Sequence, residues 1–122
     1  MPEETRDPCV RCLQALREAF MAVCGVRWDV MTRDWRGASR AIPEAESAMA
    51  KVEEECMRGL PGFLDSPKAF REKLARAREA VSRAKEYVEA GSAELSIYAT
   101  EDALRNLADL MDMAVKRCKV CL

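Results

Sequence analysis

Apolar residues recur at three- and four-residue spacing along nearly the whole chain, and turn-forming residues cut the pattern at only a few places. That period stacks side chains along one side of an α-helix, whereas a half-buried strand would need strict alternation. The first stripe reads Leu13, Leu16, Phe20, Cys24, Trp28, Met31 and Trp35 and predicts a helix over 8–36. Pro8 suits the first helical position after Asp7 as cap, Gly25 marks a bend, and Gly37 is the expected stop. A second helix is expected over 43–58, opened by Pro43, with Ile42, Ala45, Met49, Val52 and Cys56 on one face. The run from Gly59 to Leu64 breaks it.

Ser66 as cap and Pro67 in the first turn open a third helix over 67–90, with Phe70, Leu74, Ala77, Val81, Ala84 and Val88 as its core face and Gly91 as its end. The fourth is expected over 93–121, with Leu104, Leu107, Met111, Val115 and Cys118 as its stripe and a restart near Thr100. Composition agrees: the strong helix formers Ala, Leu, Glu, Lys, Gln, Arg and Met supply 71 of the 122 residues, and Thr, Val and Ile only 14. Short connections make neighbouring helices antiparallel. The fold class expected is therefore all-α: one domain over 1–122, an up-down-up-down antiparallel four-helix bundle with its N- and C-terminal helix ends adjacent.

That adjacency gives the cysteines meaning. Cys9 and Cys12 form one Cys-x-x-Cys pair, Cys118 and Cys121 another, at opposite ends of the chain. Residues three apart share a helix face, so four sulfurs meet at one pole of the bundle. Four thiolates at one point suit zinc, with iron or Cu(I) as alternatives, and Arg11, Arg117 and Lys119 stand by to offset the charge. Cys56, at the end of the second helix, belongs to the same pole and is a possible extra ligand. The same sulfurs packed as plain thiols, or joined as disulfides, are the competing readings. Cys24, on an apolar stripe, reads as a small hydrophobe.

Several function classes drop out. The chain has no histidine, which removes Ser-His-Asp triads, Cys-His dyads and Glu-x-x-His di-iron sites, and no catalytic constellation replaces them. Its 20 basic and 21 acidic residues give a net charge of −1, against nucleic-acid binding by bulk charge. The third helix is rich in Arg and Lys, but Glu72 to Arg76 and Glu79 to Arg83 are favourable i,i+4 pairs, the pattern of a solvated face. Acidic pairs such as Asp109 and Asp112 point away from their stripe, single scattered glycines make no phosphate loop, and no apolar run is long enough to span a membrane. Without a signal peptide at the start, the expected compartment is the cytoplasm.

Two features suggest a protein partner or a homodimer. Leu110, Met113 and Val120 form a second apolar edge on the fourth helix, and Trp28 and Trp35 lie seven apart near the far end of the first. The function expected from sequence is thus a small cytosolic interaction or adaptor protein, not an enzyme, whose termini are clasped by a structural zinc site at Cys9, Cys12, Cys118 and Cys121. The alternative is a thiol-redox or Cu(I)-handling protein that uses the two Cys-x-x-Cys pairs.

Overall fold

The computed structural model describes residues 8–58 and 67–118. Four helices account for nearly all of them: α1 (Pro8–Met31), α2 (Trp35–Val52), α3 (Pro67–Glu89) and α4 (Ala93–Cys118), with a π-helical turn at Glu53–Arg58 continuing α2. Each packs on its neighbours in a ring, α1 against α2 and α4, α3 against α4, and α2 more sparingly against α3. This is the four-helix bundle that the periodicity predicts.

The core uses the expected stripes of α2 and α3, but in α1 it turns from Cys24, Trp28 and Met31, which are exposed, to Val23, Val26 and Val30, and in α4 it takes Leu110 beside Leu107. Leu16, Val23 and Val30 of α1 meet Ile42, Met49 and Val52 of α2, Phe70 and Leu74 of α3, and Leu107 and Leu110 of α4, all buried. Alanines fill the gaps: Ala19, Ala45, Ala77, Ala103 and Ala114 are fully enclosed, which lets the helix backbones approach closely.

Two corners have the same construction. At Gly91 (φ 71°) the amide of Gly91 donates to the Val88 carbonyl at 3.0 Å and that of Ser92 to Tyr87 at 2.9 Å, a Schellman ending with glycine in the left-handed position. The end of α1 repeats it with Arg33 (φ 62°) in that position: the Arg33 amide donates to Val30 at 3.0 Å and the Asp34 amide to Asp29 at 2.7 Å. Asp34 then caps α2, its carboxylate accepting from the Gly37 amide at 2.9 Å.

This corner corrects the expected boundaries. α1 stops at Met31 rather than 36, and α2 begins at Trp35, eight residues before Pro43, running straight through that proline. Gly37 does not stop a helix. It lies in the first turn of α2, where a Cβ would collide with the capping carboxylate of Asp34.

Nor does α4 restart at Thr100. Its hydroxyl donates to the Ser96 and Ile97 carbonyls at 3.0 and 2.9 Å, so this buried side chain satisfies itself on its own helix. Gly25 sits within an unbroken α1.

Candidate functional site

The pole where α1 begins holds the cysteine chemistry. Cys12, in the second turn of α1, is bonded to Cys56 of the π-helical turn, with Cα atoms 4.7 Å apart and a sequence separation of 44. Both residues are 0% exposed. Here the chain leaves the i→i+4 register for the wider π pattern, a rare arrangement that needs outside support. The disulfide anchors the turn at Cys56. Beside it, Arg11 approaches the Glu55 carboxylate at 3.5 Å, and Glu53 accepts from Arg78 of α3 at 2.7 Å. Three successive glutamates, Glu53, Glu54 and Glu55, would repel one another, and two of them meet a cation from a different helix.

These bonds overturn the zinc clasp, and with it iron or copper as cofactor. A tetrathiolate site needs Cys9 and Cys12 as thiolates, but Cys12 is joined to Cys56 and Cys9 is disulfide-bonded as well. Among the described residues, no group of three or more Cys, Asp or Glu side chains is placed to hold a metal ion. The Cys118 and Cys121 side chains lie outside the described residues. Cys56 is at the pole expected of it, as a disulfide partner and not as an extra ligand.

The physical reason is angular. Cys9 and Cys12 differ by about 60° around α1, enough to aim them at different neighbours. Cys9 shares its angular position with Arg27, five turns further on, and Arg27 reaches Glu101 of α4 at 3.3 Å. Cys12 faces α2.

The partner-binding residues expected from sequence divide sharply. Trp28 is 65% exposed on the outer side of α1. Trp35 is half-buried and packs against the core as the first residue of α2. Leu110 is fully buried, so the second apolar edge of α4 is not a surface edge; Met113 is half-buried against the core, and Val120 lies outside the described residues. Sequence reasoning missed Val10, Met21 and Met31, which are exposed along α1 with Trp28. The signal was available: Val10, Met21 and Trp28 stand on the face opposite Val23 and Val30 when the stripe is drawn at 100° per residue. Cys24, on the same outer side, is exposed and is a free thiol rather than core filler.

No known protein family matches this chain, and neither a curated protein nor a solved structure does. Function must therefore be argued from the surfaces. The remaining one is the seam between α3 and α4, a shallow cleft of about 200 Å³ lined entirely by charged side chains and Asn106. Lys73 bonds Asp109 at 2.7 Å, and Arg83 bonds both Asp102 at 2.8 Å and Glu79 at 3.1 Å. The expected Glu79–Arg83 pair forms. The expected Glu72–Arg76 pair does not. No described helix is long and apolar enough to cross a membrane.

Proposed function

We propose that this chain is a disulfide-stapled helical scaffold that offers the outer face of α1 to a protein partner. The observation that carries the reading is the exposure of Trp28, Met21 and Met31 on a helix whose opposite face already fills the core. A large exposed tryptophan flanked by methionines is costly to leave in water and is the kind of anchor that interfaces use. The staple supports this role by fixing the start of α1 to the end of α2, so the helix is held as a rigid platform.

Thiol exchange through the paired cysteines is less well supported. Exchange requires a thiolate to reach a disulfide sulfur, and the Cys12–Cys56 bond is enclosed on all sides. Disulfides persist where thiols are kept oxidised, which favours such a setting over the cytoplasm expected above.

A photo-crosslinking residue placed at Met21 tests the reading in the native host. It is expected to trap a partner in high yield, and the same residue at Glu46, on the exposed side of α2, is not. Equal trapping at both positions, or trapping at Glu46 alone, would overturn the assignment of the α1 face.

A further inference from the structure

The cleft between α3 and α4 carries more positive charge than it can compensate. Four basic side chains line it, Lys73, Arg76 and Arg83 from α3 and Arg105 from α4, against three acids, Glu79, Asp102 and Asp109. All three acids are taken by only two of the bases, Lys73 and Arg83. Arg76 and Arg105 are left facing one cleft from opposite walls.

The pairing also shows why Arg105 finds no free carboxylate on its own helix. Within helical reach of Arg105 are Glu101, Asp102 and Asp109, and each is engaged by a cation from another helix: Arg27 at 3.3 Å, Arg83 at 2.8 Å and Lys73 at 2.7 Å. Both Asp102 oxygens are engaged, one by Arg83 and the second by the Asn106 amide at 3.3 Å, while that amide also donates to the Asp102 carbonyl at 2.9 Å. Asn106 is buried, so this arrangement is held in place. On α3, Glu79 is committed to Arg83, and Arg76 does not turn back to Glu72 although four-residue spacing would allow it.

Position along the helices completes the picture. Arg76 lies between Lys73 and Arg83 in α3, and Arg105 between Asp102 and Asp109 in α4, so both exposed arginines line the cleft between its two interhelical ion pairs. Lys73 and Arg83 are about 15 Å apart along α3 at 1.5 Å per residue. Two like charges on facing walls repel, and the arrangement is relieved by a compact anion. Guanidinium forks recognise tetrahedral oxyanions by paired N–H donors. The lining has no aromatic or apolar side chain for a base or lipid tail to rest on, which restricts the occupant to a small one.

We propose that Arg76 and Arg105 form a binding site for a phosphate group, either the free ion or a small phosphate monoester. The site is independent of the α1 face. Its test is an NMR titration of the full chain, reading the Nε–Hε signals of Arg76 and Arg105, with inorganic phosphate and with phosphoserine as separate probes. Sodium chloride at matched ionic strength is the reference. Saturable shifts at both arginines are expected, with the stronger-binding probe identifying the free ion or the monoester as the natural form. Arg76→Gln and Arg105→Gln should each weaken binding at least fivefold, while Arg36→Gln on α2 binds as the parent chain does. Shifts that sodium chloride reproduces, or that survive in the Arg76→Gln/Arg105→Gln double variant, would overturn the proposal.

Discussion

The two halves of the bundle differ in their principal tie, although ion pairs also join α1 to α2 and its π turn, Lys51 to Glu18 at 3.4 Å and Arg11 to Glu55 at 3.5 Å. Between α1 and α2 the tie is covalent and buried, the Cys12–Cys56 bond with both residues at 0% exposure. Between α3 and α4 it is electrostatic and exposed, two interhelical ion pairs at the rim of a charged cleft. Both interfaces also bury apolar stripes, and both corners use the same left-handed helix ending. The difference lies in what each tie does beyond stability. A buried disulfide restricts the unfolded chain and is indifferent to salt, whereas exposed ion pairs contribute about 0.2–1 kcal/mol each and fade as salt screens them. One half is therefore fixed, and the other has charge to spare for a ligand.

The largest expected effect follows from removing the covalent tie. Cys12→Ala with Cys56→Ala should cost about 4 kcal/mol by the loop-closure estimate, given a separation of 44 residues, and lower Tm by about 10 °C or more. Denaturant unfolding of the parent and the double variant gives the number. A loss below about 1 kcal/mol would remove the contrast between the halves, since the staple would then be worth no more than one ion pair.

A smaller effect sharpens the contrast from the other side. Arg83 joins Glu79 to Asp102 across the α3–α4 seam, so Arg83→Gln should cost about 1 kcal/mol at low ionic strength. In 1 M sodium chloride that loss should shrink to a few tenths of a kcal/mol, while the loss from the cysteine variant stays constant. A salt-independent Arg83→Gln penalty would mean that its methylene stem matters more than its charge.

Much of this architecture is legible in the sequence, and the failures have specific causes. The stripe from Phe70 to Val88 and the glycine at 91 locate α3 to within a residue, because a regular core face and a left-handed glycine ending are both local signals. The α1–α2 corner is not legible in the same way. Its left-handed residue is Arg33, which carries no such signal, and the apolar period runs on from Trp28 and Met31 to Trp35 across the break. Pro43 then looks like a helix start although α2 passes through it.

The cysteine pole is half legible. Sequence spacing brings Cys12 and Cys56 to one end of the bundle. Reading Cys9 and Cys12 as a ligand pair overlooks the 60° between them, which lets one face α2 while the other faces elsewhere. Pairing across helices is a tertiary fact that the Cys-x-x-Cys motif conceals. The charged seam is obscured for a related reason: single-helix pairing rules predict Glu72–Arg76, but cross-helix partners decide which charges are used up.

The most direct test of the central claim is a peptide map of the native chain, alkylated and digested without reductant and read by mass spectrometry. A cross-linked species joining the peptides of Cys12 and Cys56 is expected, with Cys24 alone among the described cysteines carrying the alkyl label. Alkylated Cys12 and Cys56 in the freshly isolated protein would contradict it, and the rigid platform built on that bond would fall with it.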